Sequence, residues 1–165
     1  MKTDHMKIGI LSDTHGTLPK QVYTFFAECD EIWHAGDIGD NILEELQQFK
    51  PTKAVYGNTD GYPVRYDTHE VLVFHRENQK IILTHIGGWP GHYHFKVKQL
   101  LEVEKPDIFV CGHSHILKVM YDKEMNLLHI NPGAAGRQGF HKTCTLVRFE
   151  LNPTPCNLEI MEFDR

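Results

Sequence analysis

The chain has 165 residues, 41% hydrophobic and 24% charged, the proportions of an ordinary folded domain without repeats or low-complexity tracts. Its formal charge is −5, from 17 Lys and Arg against 22 Asp and Glu, and it contains no basic run, so nucleic acid is not an expected partner. No apolar stretch approaches the roughly 20 residues of a membrane span and no signal peptide precedes Lys7, so the expectation is a single cytoplasmic domain over residues 1–165, with 1–6 as a flexible N-terminal extension.

Lys7 to Leu11 is a β-branched apolar run that ends at Ser12-Asp13-Thr14-His15-Gly16, as a buried strand feeding a loop would. Val22, Phe25, Phe26 and Cys29 then fall at helical spacing. The unit recurs. Glu31 to Ala35 reads as a strand, Gly36 to Gly39 as a loop, and Ile42, Leu43, Leu46 and Phe49 as the inner face of a helix stopped before Pro51. Asp40 and Asn41 are expected to cap that helix. Lys53 to Tyr56 is a third strand, ending in the polar turn Gly57-Asn58-Thr59-Asp60.

The second half is richer in strands. Val71 to His75 and Lys80 to Thr84 read as a hairpin across Arg76 to Gln79, followed by one helix, about His94 to Val103. Ile108 to Cys111, Leu117 to Tyr121, Leu127 to Ile130, Thr143 to Glu150 and Asn157 to Phe163 are further strands. Some ten strands and three helices are too many for one sheet in a domain of this size. The expectation is an α/β protein with two stacked sheets and helices outside. Cys29, Cys111, Cys144 and Cys156 are too widely spaced for a zinc knuckle or a dithiol motif and are expected to be buried reduced thiols.

Five polar clusters stand directly after predicted strands: Asp13-x-His15, Gly36-Asp37, Gly57-Asn58, His85 and Gly112-His113-x-His115. Carboxyl ends of strands converge on one edge of an α/β sheet, so these clusters can form one site. They offer two carboxylates, one amide oxygen and four imidazoles, a set without sulfur that suits two divalent ions, manganese first and iron, zinc or nickel as alternatives. Seven ligands exceed one octahedral ion that keeps a place for water, whereas two ions sharing a carboxylate suit hydrolysis at phosphorus, where they activate a bridging water and clamp the attacking and leaving oxygens.

In this order and spacing the clusters, together with Asn131-Pro-Gly133, resemble the calcineurin-like metallophosphoesterases, in particular their small single-domain phosphodiesterase branch. The resemblance implies a four-layer αββα sandwich of two mixed β-sheets flanked by helices. It implies that Asp13, His15, Asp37 and His115 hold one ion and Asp37, Asn58, His85 and His113 the other, with Asp37 bridging. Asp37, Asn58, His113 and Arg137 are then the expected catalytic set, with Asn58 and Arg137 touching substrate, Arg137 as a bidentate phosphate fork. Larger members carry a histidine after the metal-binding asparagine; here that position is Thr59, a poor proton donor.

Several neighbours have more than one reading. Asp60 either orients Asn58 or a water, or stabilises its turn. His34 is expected behind the ligands or buried in its strand, and His5, His69, His75 and His129 are expected to be structural or solvent-facing. His92, His94 and His141 are candidates for substrate contact or proton donation, and Trp89 for stacking on a leaving group or anchoring its loop. Two functions follow: hydrolysis of small phosphoesters, diesters before monoesters, with a homo-oligomer left open, or a protein-binding scaffold like the small subunit of the eukaryotic retromer coat, which resembles this branch but has a degraded site. All seven positions here hold competent ligands, which favours the enzyme.

Overall fold

A computed structural model of the chain describes residues 5–165. In chain order these form β1 (Met6–Leu11), α1 (Gln21–Phe25), β2 (Glu31–His34), α2 (Ile42–Phe49), β3 (Thr52–Ala54), α3 (Val64–Asp67), β4 (Val71–Arg76), β5 (Gln79–Thr84), α4 (Phe95–Glu104), β6 (Ile108–Val110), β7 (Leu117–Asp122), β8 (Leu127–Pro132), β9 (Thr143–Asn152) and β10 (Thr154–Asp164). Two five-stranded sheets result, ordered β10-β9-β1-β2-β3 and β4-β5-β6-β8-β7. Both are mixed. β1 runs parallel to β2 and antiparallel to β9, and β6 runs parallel to β5 and β8 while β4 and β7 pair antiparallel at the edges.

Alternation along the strands sorts the apolar side chains into layers. Ile81, Leu83, Ile108 and Val110 face inward and meet Ile8, Ile10, Trp33, Val147 and Phe149 between the sheets. Ile82 and Phe109, one position out of phase, pack outward with Leu101 of α4. On the opposite flank Leu11, Ile32 and Leu146 pack with Val22 of α1, Leu46 of α2 and Val64 of α3. The order of layers is therefore helix, sheet, sheet, helix, the four-layer sandwich that the resemblance implies.

The elements depart from expectation in five places. The first helix is shorter than the Val22-to-Cys29 spacing suggests: α1 ends at Phe25, and Phe26 and Cys29 pack into the core from a turn. α3 was not anticipated, because a four-residue helix is too short to carry a periodic signal. The hairpin turn is two residues, Glu77 and Asn78, both at positive φ, the geometry that follows the twist of paired strands. Asn41 precedes α2 at φ 66° with no side-chain bond to a helix amide, so the capping expected of Asp40 and Asn41 is not seen. At the N-terminus Met6 already pairs with Leu151, so it belongs to β1 and not to the expected extension, and residues 1–4 lie outside the described ones.

His34 and His129 are fully buried, and burial pushes each imidazole down to about 4. Both are neutral in the fold and regain an ordinary value near 6.5 on unfolding, so the stability they protect is complete above pH 6.5 and is lost as pH falls toward 4. For His129 the loss between pH 7 and pH 5 is about 2 kcal/mol. Urea unfolding of metal-free protein at the two pH values is expected to show a drop smaller by about that amount in His129→Gln than in wild type.

Candidate metal centre

The five loops predicted to converge do so at the carboxyl ends of β1, β2 and β5 and in the segments after β3 and β6. They are sewn together by the backbone: the Asp13 amide donates to the Gly36 carbonyl (3.0 Å), the His15 amide to that of Asp37 (3.0 Å) and the Gly112 amide to that of His85 (2.9 Å). Asp13, His15, Asp37, His113 and His115 all take left-handed φ, between 47° and 69°. This conformation costs a non-glycine residue roughly 1–2 kcal/mol and persists only where its surroundings over-determine it. It also turns His113 and His115 inward, which a strand, with its alternating faces, would not.

Two groups of facing ligand atoms result: Asp13, His15 and His115, and Asp37, His85 and His113, with the atoms of each group within 4.8 Å of one another. The groups are contiguous. Asp37 Oδ2 lies 3.8 Å from His15 Nε2 and 3.2 Å from His85 Nε2, so it meets an imidazole from each group. Asp13 Oδ1 lies 3.1 Å from His115 Nε2 and 3.9 Å from both His15 Nε2 and His85 Nε2. The other carboxylate oxygens are occupied: Asp13 Oδ2 accepts from the Ser12 hydroxyl (2.6 Å) and the His113 amide (3.1 Å), and Asp37 Oδ1 accepts from the Thr59 amide (2.9 Å). Each carboxylate is thus held by one oxygen and presents the other.

Asp13 Oδ1, His15 Nε2 and His85 Nε2 are buried and have no hydrogen-bond partner. Leaving a buried polar atom unpaired costs about 1–3 kcal/mol, more if it is charged. Among the described residues neither Asp13 nor Asp37 is ion-paired to lysine or arginine. Carboxylate and imidazole lone pairs aimed at one another without a partner fit divalent cations. Burial pushes both carboxyls up, yet the His115 and Ser12 contacts at Asp13, and His85 and Thr59 at Asp37, bring both below the usual range, so they are ionised at neutral pH. Burial pushes His85 down, but Asp37 and Asp13 raise it overall; burial, joined by His85, lowers His113. His85 Nδ1–H donates to the Ala35 carbonyl (2.7 Å), which reserves Nε2 for the centre.

Surrounding residues have distinct places. Asn58 is exposed and lines a cleft of about 760 Å³ together with His85, Tyr56, Arg65, His94 and Lys96. Asp60 accepts from the amides of Ile38, Gly39 and Gly57, so it stabilises its own turn and ties it to the Asp37 loop. His34 sits behind the centre, taking the Gly36 amide on Nδ1 (3.1 Å), which leaves Nε2–H to donate to the Thr14 hydroxyl (2.9 Å). Trp89 is half-exposed against His92 (ring centroids 5.4 Å), within its own loop. Arg137 is exposed and lines a hollow with Leu18, Gln21 and Phe163 in which neither ligand group takes part, so this geometry lends its expected service as a phosphate fork no support. Neither the grip of Asp60 on three amides nor the hold of Arg65 on the Gly57 carbonyl (3.2 Å) is legible from spacing; the position of Asp60 in the Gly57 turn is the only hint.

Residues 6–154 match the model of the calcineurin-like phosphoesterase superfamily domain. The chain belongs to this superfamily. Its relatives include a probable metallophosphoesterase of Methanothermobacter thermautotrophicus, 30% identical over 135 residues that cover 78% of this chain and 77% of that one. An archaeal phosphodiesterase of known structure superposes with a TM-score of 0.74 at 22% identity, covering 97% of this chain and all of that one. Zinc-bound Vps29 of Entamoeba histolytica superposes with a TM-score of 0.64 at 17% identity, covering 96% and 99%. At these identities the two structures show the shared fold.

Within this calcineurin-like fold, the backbone at Gly112 passes close to the Asp13 carboxylate of the first group. A Cβ there would overlap Ser12 Oγ and stand 2.9 Å from Asp13 Oδ2. Gly112→Ala is therefore expected to displace Asp13 and cut manganese affinity about 10- to 100-fold, the range seen when support for a ligand is removed. Gly61→Ala, where a Cβ meets nothing within 4 Å, is the control. Equilibrium dialysis with manganese checks this, and equal uptake by both variants would contradict it.

Proposed function

We propose that the chain is a dinuclear-metal phosphodiesterase, with phosphomonoesters as secondary substrates. The observation that carries this reading is the unpaired set Asp13 Oδ1, His15 Nε2 and His85 Nε2, together with an Asp37 that meets an imidazole of each group. Asp13, His15, Asp37 and His115 would hold one ion, and Asp37, Asn58, His85 and His113 the other. Manganese fits four imidazoles and two carboxylates better than magnesium, which prefers oxygen and keeps its waters. When bound, such ions activate water and neutralise charge at phosphorus.

The chain's own groups supply binding and shape. His113 stands exposed in the group with Asp37, and exposed Asn58 lines the cleft next to His85, so both would face a phosphoryl group held there. The cleft beyond Asn58 and His85 has the size of a small-molecule site and takes an organic substituent of the ester. Thr59 holds Asp37 through its amide, and its hydroxyl stands 3.5 Å from His15 Nδ1, so it serves the ligands rather than donating a proton to a leaving group. Among the histidines near the site, His94 on the cleft wall is the one placed to do that. The scaffold alternative shares the fold, as the Vps29 likeness illustrates, but nothing in its logic calls for facing carboxylate and imidazole atoms left buried and unpaired.

Hydrolysis of bis(p-nitrophenyl) phosphate is expected to vanish on chelation and to return with manganese more fully than with magnesium. Manganese uptake without turnover of diesters or monoesters would favour the scaffold. Asp37→Asn is expected to lose more rate and more bound metal than His15→Ala, because it removes a negative charge that would serve both ions. Equal losses in the two variants would contradict a bridging Asp37.

A further inference from the structure

We infer that His141 is a positioning residue that fixes the ring orientation and protonation of His115, resting on the reading that Asp13, His15 and His115 hold an ion. His115 Nδ1 lies 3.3 Å from His141 Nδ1, with the rings edge to face at a centroid distance of 5.1 Å. His141 Nε2 lies 2.8 Å from the Gly136 carbonyl, which can only accept, so the proton of His141 sits on Nε2 and its Nδ1 offers a lone pair. A His115 that gives its Nε2 lone pair to a cation carries its proton on Nδ1 and needs an acceptor there. His141 Nδ1 is that acceptor.

The arrangement closes on itself. The Gly136 amide donates to the Asp13 carbonyl (3.1 Å), so the group that orients His141 is tied to the backbone of the carboxylate that His115 faces, with Asp13 Oδ1 3.1 Å from His115 Nε2. Gly139 completes it. At φ 124° it lets the loop pass so close that a Cβ would overlap His115 Nδ1 and stand 3.1 Å from His141 Nδ1. His141 thus does for His115 what the Ala35 carbonyl does for His85. Both nitrogens of His141 are engaged, which removes it from the candidates for substrate contact or proton donation.

The test is a zinc titration of the full chain followed through the imidazole resonances of His115 and His85, one from each group. His141→Phe keeps a ring without an acceptor and is expected to weaken zinc binding at His115 about 10- to 100-fold while His85 titrates as in wild type. His141→Gln, whose amide both accepts and donates, is expected to restore most of the loss. In zinc-loaded wild type, nitrogen-15 spectra should show His115 protonated at Nδ1 and His141 at Nε2 alone. Wild-type affinity in the Phe variant, equal losses in the Phe and Gln variants, or a proton on His141 Nδ1 would each overturn the inference. Failure of His115 to take zinc in wild type would overturn the metal-site reading itself.

Discussion

Two carboxylates, Asp13 fully buried and Asp37 nearly so, face imidazoles instead of lysine or arginine, and the rest of the molecule is arranged around that fact. Burying an ionised carboxylate without a counter-charge is among the costliest things a fold can do. Here one oxygen of each is satisfied by fixed donors, from Ser12 and His113 at Asp13 and from Thr59 at Asp37. The free oxygens and the ring nitrogens opposite them are ligands in waiting. The apparent defect of the fold is the feature that a divalent cation would offset.

Precision of this kind has to be enforced by something rigid. β1, β2 and β3 lie side by side in the first sheet, and β5 and β6 in the second, so all five loops follow paired strands. The apolar layer between the sheets, with Trp33 and Phe149 at its heart, fixes the distance between the two halves of the site. Left-handed backbone at five of the ligand-bearing residues is strain that this scaffold absorbs. Asp60 and His34 are part of the same device: one locks three amides and the other a hydroxyl and an amide, so that the loops they join cannot relax away from the centre.

What the sequence discloses and what it hides divide along a physical line. Strands such as β1 and β5, with Ile8, Ile10, Ile81 and Leu83, were legible because a short continuous apolar run is a local property of the sequence. So was the placement of Asp13-x-His15 and Gly112-His113-x-His115, since each cluster follows directly on an apolar strand run. The four residues of α3 and the early end of α1 depend on packing against the sheet, which no window of sequence contains. The direction of a loop side chain is equally non-local. Gly136, Gly139 and His141 adjoin the centre, whereas Arg137 in the same loop lines a hollow beside Leu18 and Phe163. Asp60 and His141 act through hydrogen bonds to backbone and ring atoms over 20 residues away in sequence, so their roles emerge only once the loops are assembled.

The chemistry proposed for the site requires that the two ligand groups form one centre. Electron paramagnetic resonance of the metal-free protein titrated with manganese tests this directly, because ions roughly 3.5–4 Å apart couple magnetically. A coupled spectrum is expected to grow in and to reach its full intensity at two ions per chain. An isolated-ion signal that saturates at one ion, or two signals that never couple, would contradict it.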